Sequence, residues 1–170
     1  MEIVLSSVAV VVAVLAFIES RKLRRIEDGR DRRESAVKRR SQAEGLLAWM
    51  SAEIPVDAPS TSVIEVQNRT AAPVFDIEVH AIDLNYVDGQ RSGYRELAPL
   101  RIRMLPPGHL VYGPGKGSYA WDLGRLPGEC ELLRPVTKSV DRRVVSFSFT
   151  DAHGVTWHRD QDGALTEVAG

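Results

Sequence analysis

The sequence predicts a mainly β C-terminal domain, an antiparallel Ig-like sandwich of about seven or eight strands, behind a long N-terminal helix that includes a transmembrane segment. Three observations predict it. An uncharged apolar run opens the chain, a basic stretch follows, and beyond residue 61 the apolar period changes from helical to two.

The apolar run is Ile3 to Ile18, IVLSSVAVVVAVLAFI, with Ser6 and Ser7 its only polar side chains. As a helix it spans roughly 24 Å against a bilayer core of about 30 Å. Met1 extends it on one side, and Arg21 and Lys22 extend it on the other by laying their stems along hydrocarbon. Glu2 is the only charged side chain before the run, and its exit reads Ala16-Phe17-Ile18-Glu19-Ser20. Both features argue against a cleaved signal peptide and for a retained signal anchor. A buried helix of a soluble protein keeps a polar stripe, which this run lacks. Residues 1–18 are therefore expected to be a single-pass anchor in the plasma membrane.

The 170 residues carry a net charge of −1, which hides an asymmetry. Residues 19–40 hold ten Lys/Arg and five acids, whereas residues 41–170 hold twelve Lys/Arg and seventeen acids. No Lys or Arg precedes the apolar run, so the bias predicts an outside N-terminus and a cytoplasmic C-terminal domain.

Residues 19–50 lack proline and are rich in good helix formers, which predicts a basic juxtamembrane helix to about Met50. Gly29 and Gly45 are its weak points, and Leu46, Leu47, Trp49 and Met50 close it with an apolar patch. Leu23, Ile26 and Val37 are too sparse to specify a coiled coil. Arg21, Lys22, Arg24, Arg25, Arg30, Arg32 and Arg33 are candidate contacts to anionic lipid headgroups. The competing reading is that they only enforce topology and keep a solvated helix soluble. Interleaved acids and missing aromatics disfavour nucleic acid.

Pro55, Pro59 and Ser60-Thr61-Ser62 mark a linker over 51–61, and residues 62–170 form the β-domain. Ile64 and Val66 alternate with Val63, Glu65 and Gln67, and Phe75, Ile77, Val79 and Ala81 alternate with Asp76, Glu78, His80 and Ile82. Val145, Phe147 and Phe149 alternate with Ser146, Ser148 and Thr150. Strands are expected over 62–67, 74–86, 100–105, 110–112 and 119–122, and a closing meander over 144–150, 155–159 and 164–168. Gly154 and Gly163 supply the positive φ of its two short loops, and Trp157 is its expected core residue, with Trp121 a weaker candidate.

Candidate chemistry is sparse. Asp151, His153 and His158 are close in sequence, but a strand sends Trp157 and His158 to opposite faces. Turn hydrogen bonding explains Asp151. Gly113-Pro114-Gly115-Lys116-Gly117-Ser118 departs from a phosphate loop because Gly117 separates Lys116 from Ser118 and no helix pattern follows. Arg101 and Arg103 read as a solvated strand face. Cys130 is the sole cysteine, so an internal disulfide is excluded, and it reads as a small buried or half-buried residue. No nucleophile–base–acid set stands out, including around Cys130 and His109. No catalytic residue, cofactor or metal is expected.

Other sequence features carry a resemblance. They are Gln42-Ala43 with Ala48-Trp49, Val66-Gln67-Asn68, Pro73-Val74-Phe75-Asp76 and Leu105-Pro106-Pro107-Gly108. The stretch 149–159, FTDAHGVTWHR, and Gly163-Ala164-Leu165 complete them. With the N-terminal span and arginine-rich helix, the chain resembles a group of uncharacterised actinobacterial single-pass membrane proteins, common also in their mobile elements, with a C-terminal β-sandwich-like domain. The resemblance covers most of residues 1–168 and implies the architecture, with no mechanism attached. The expected role is a membrane-tethered module that binds a protein partner. The alternative is a small subunit or phage-type modifier of a membrane complex, packing through Ser6, Ser7, Ala9 and Ala13. An enzyme ranks third.

Overall fold

The computed structural model describes residues 35–115 and 119–168. The expected anchor at 1–18 and all seven candidate headgroup contacts, Arg21 to Arg33, lie outside the described residues. The chain divides into two compact units, Met1–Ser41 and Gln42–Gly170. The described part of the first, 35–41, is helical and the second opens with a last helical turn at 42–44. Among the described residues no helix is long and apolar enough to cross a membrane.

The second unit is mainly β. Ten strands follow in order: β1 Leu46–Ile54, β2 Thr61–Asn68, β3 Val74–Val87, β4 Gln90–Glu96, β5 Leu100–Leu105, β6 Gly108–Tyr112, β7 Leu132–Pro135, β8 Arg143–Thr150, β9 Thr156–Arg159 and β10 Leu165–Val168. They form two antiparallel, sandwich-like sheets, one ordered β6-β2-β1-β7 and the other β10-β9-β8-β3-β4, with β5 also on β3. Leu46, Met50, Ile64, Val66 and Tyr112 of the first sheet pack with Ile77, Val79, Leu105, Phe147, Phe149 and Trp157 of the second. Burying apolar side chains of this size, each stabilising by about 1.5–3 kcal/mol, is the main force holding the sheets.

The expected helix to Met50 is corrected. It ends at 44, and Leu46–Ile54 forms the strand that pairs along the whole of Glu53↔Thr61 to Leu46↔Asn68. Leucine, alanine and methionine favour helix locally, but tertiary burial overrides a preference worth only tenths of a kcal/mol per residue. As a strand, Leu46 and Met50 enter the core while Trp49 and Glu53 face away from it. Part of the expected 51–61 linker is thus sheet, and the loop proper runs from Pro55 to Ser60.

Two bulges correct the expected alternation. Asp76 adopts φ 47°, and the β3–β8 register slips between Phe75 and Glu78. Val74 rather than Phe75 therefore joins Ile77 in the core. A second slip, between His80 and Ala81, puts Val144 rather than Val145 against it. The strand expected at 119–122 is only a single bridge, Pro114↔Trp121. β4 and β7, beyond the expected eight strands, are new.

The meander is as expected, and both of its loops are the same device. In Asp151-Ala152-His153-Gly154-Val155 the Gly154 N–H donates to Asp151 O at 3.0 Å and the Asp151 N–H to Val155 O at 2.9 Å. In Asp160-Gln161-Asp162-Gly163-Ala164 the matching bonds are both 3.1 Å. Gly154 (φ 79°) and Gly163 (φ 84°) close the turns.

Candidate functional site

Of the residues singled out for chemistry, Asp151 is consumed by its own turn. Asp151 is buried, and its Oδ1 accepts from the backbone N–H of His153 (2.8 Å) and Val155 (3.0 Å). Its Oδ2 accepts from the Trp157 indole N–H at 2.9 Å. The turn thus leaves Asp151 no oxygen free of a donor, while Trp157 sits in the core as expected. His158 pairs with Ser148 on the opposite face. Among the described residues no three His, Cys, Asp or Glu side chains group so as to hold a metal.

Arg101 donates from Nε to Glu78 at 2.8 Å, and this bond holds the Glu78 carboxyl below the usual carboxylate range. Cys130 is half-buried, its Sγ 3.6 Å from Leu126 O, and burial pushes its thiol up while Arg125 opposes. Gly115 is required by space, because a Cβ there would lie 2.2 Å from Tyr119 O. Lys116, Gly117 and Ser118 lie outside the described residues. Trp121 is half-buried and donates its indole N–H to Ala98 O at 2.8 Å.

Sequence reasoning missed a buried carboxylate. Glu65 lies on the outward side of β2, yet is only 4% exposed. It accepts from Trp49 Nε1 at 3.0 Å and from the Ser51 hydroxyl. His109 Nε2 stands 2.8 Å from its other oxygen, at ion-pair distance but without hydrogen-bond alignment. The Trp49 and His109 rings meet above it at 5.3 Å. Ser51 donates to the carboxylate itself, on the same oxygen that Trp49 reaches. A neighbouring pair extends this face: Arg125 grips Glu53 with both terminal nitrogens, at 2.9 and 2.6 Å. That grip holds Glu53 below the usual carboxylate range and raises Arg125 further.

The β3–β4 ribbon is among the most exposed parts of the domain. Asp88 (φ 51°) and Gly89 (φ 77°) form its tip, both left-handed as a two-residue primed turn demands. Every residue of β4 is exposed. Tyr86, Val87 and Tyr94 are exposed at 59%, 52% and 57%. β4 also ends its sheet, and no further strand pairs with it among the described residues. Arg91 ties the ribbon to Asp141 of the β7–β8 loop.

The chain matches no protein-family model, no curated protein and no solved structure.

Proposed function

We propose that the chain is a membrane-tethered protein-interaction module, anchored through Ile3–Ile18 with its N-terminus outside and an Ig-like sandwich at the cytoplasmic face. The anchor and its direction are supported by the uncharged run and the ten Lys/Arg that follow it. The Ig-like assignment is supported by the chain path: β1–β2 in one sheet, β3–β5 in the other, β6–β7 back in the first, then β8–β10. The basic residues Arg21 to Arg33 fit a contact with anionic headgroups.

The observation that carries the binding role is the ribbon. It exposes two tyrosines beside an unpaired strand edge, and tyrosine is enriched where proteins meet. An unpaired edge also offers backbone N–H and C=O groups to an incoming strand. The partner is thus a protein with an extended segment to add to β4.

Photocrosslinking in native membranes tests this. A photoreactive residue at Tyr94 or Tyr86 should give a partner adduct that one at Thr166 does not. Adducts confined to Ala9 and Ala13 would transfer the role to the membrane segment, as a subunit or modifier of a membrane complex. Digestion of the β-domain by protease added to right-side-out vesicles would overturn the cytoplasmic placement.

A further inference from the structure

A second surface lies where β7, the β7–β8 loop and the β3–β4 ribbon meet. They border a shallow, open groove of about 650 Å³ whose lining includes Ala52, Arg91, Arg134, Lys138 and Arg142. Two of the four cations are compensated: Arg91 pairs with Asp141, and Arg142 Nε lies 3.3 Å from Asp83 Oδ1. Arg142 also reaches Ser51 O from Nη2 at 3.5 Å, which fixes its stem across the two sheets. Arg134 and Lys138 pair with no carboxylate among the described residues. No acid is itself a lining residue, and the neighbouring Asp141 and Asp83 are held by Arg91 and Arg142.

We infer that this groove binds a phosphate-bearing anion, held by Arg134 and Lys138 and flanked by Arg91 and Arg142. Arg134 supplies a planar fork that matches phosphate oxygens, and Lys138 adds a compact charge on a mobile stem. Arg91 and Arg142 are already positioned by Asp141 and Asp83, which also offset their charge, so the net attraction comes from Arg134 and Lys138. The groove is lined by cations in a domain whose residues 41–170 carry an excess of acids. A soluble phosphate compound and an anionic lipid headgroup share this chemistry. The assignment rests on the groove alone and stands independently of the tether.

The test uses the full chain in detergent or in phosphatidylcholine nanodiscs, with amine-acetylation footprinting of Lys138 by mass spectrometry. Protection by inorganic pyrophosphate in neutral nanodiscs supports the site with a soluble ligand. Protection in phosphatidylglycerol nanodiscs without pyrophosphate supports it with a lipid headgroup. Arg134→Ala should weaken the pyrophosphate effect about fivefold, as loss of one basic contact does. Exposed Arg103→Ala, on β5, should leave it unchanged. Lys138 acetylated at one rate in every condition overturns the inference. So does protection by a polyglutamate peptide alone, or an Arg103→Ala effect equal to that of Arg134→Ala. Release of the chain by alkaline carbonate would remove the tether and leave the groove assignment standing.

Discussion

The closing meander and the β3–β4 ribbon are built alike, from antiparallel strands and short glycine turns, but they use their side chains in opposite ways. In the meander Phe147, Phe149, Trp157 and Leu165 face the core, and Asp151 spends both carboxylate oxygens inside its own turn. In the ribbon beyond Leu84 the aromatic side chains Tyr86 and Tyr94 face solvent. Local hydrogen bonds and core burial explain the first completely. Nothing in the fold of the domain requires the second to be tyrosine. Those two exposed rings are what the proposed binding role draws on.

Trp157→Ala attacks the buried half of that comparison hardest. It opens a cavity between the sheets and leaves Asp151 Oδ2 without its donor, which should cost about 3–5 kcal/mol in urea denaturation. A loss below about 1 kcal/mol would show that the meander is not anchored there. Asp151→Asn is a finer cut. The new amide can keep its carbonyl toward His153 and Val155, but then turns its NH₂ toward the Trp157 indole N–H, donor against donor. The expected cost is about 1–3 kcal/mol. The matching change at Asp160, whose Oδ1 accepts from Asp162 and Ala164 in an exposed turn with no indole to satisfy, should cost less.

The same contrast explains what could be read from sequence. The meander was legible because its signals are local: period-two apolar residues and a glycine at the end of each Asp-x-x-Gly loop. β1 was not, since Leu46, Ala48 and Met50 suit a helix equally and only pairing with β2 decides. The Asp76 bulge exchanges Phe75 for Val74 at the start of β3, and nothing beside it in sequence marks the slip. β4 lacks an apolar face, so periodicity is blind to it, though Asp88-Gly89 is the turn signal that could have found it. Glu65 reads as an outward polar residue in the alternation. Its burial comes from Trp49 and His109, 16 residues before it and far after it in the chain. The groove cations come from three separate strands or loops, and no sequence window contains them.

The Glu53–Arg125 clasp belongs to neither hairpin, and pH separates its contribution from the rest. The folded carboxyl is held below its ordinary range, chiefly by hydrogen bonds from Arg125. The clasp therefore stabilises fully above the ordinary carboxylate range and fades as pH falls through the depressed folded value. Glu53→Gln should flatten that part of the acid limb in a series of melts from neutral pH downward, and leave the neutral-pH melting point lower. An unchanged acid limb would mean that Arg125 does not hold the carboxylate in solution.

The smallest expected stability change belongs to the ribbon. Tyr86→Ser and Tyr94→Ser remove exposed rings that the core does not touch, so each should move stability by no more than about 0.5 kcal/mol. Partner adducts at the ribbon should nevertheless fall, because a tyrosine at the centre of an interface carries a disproportionate share of binding. The pair of readouts is what matters. A large loss of stability would mean that the tyrosines pack against something in the folded chain and belong with the meander's kind of residue. A null effect on both stability and adducts would remove the ribbon from recognition. Adduct loss with an intact melt is the one combination that keeps the two hairpins distinct: one closes the fold, and the other faces the partner.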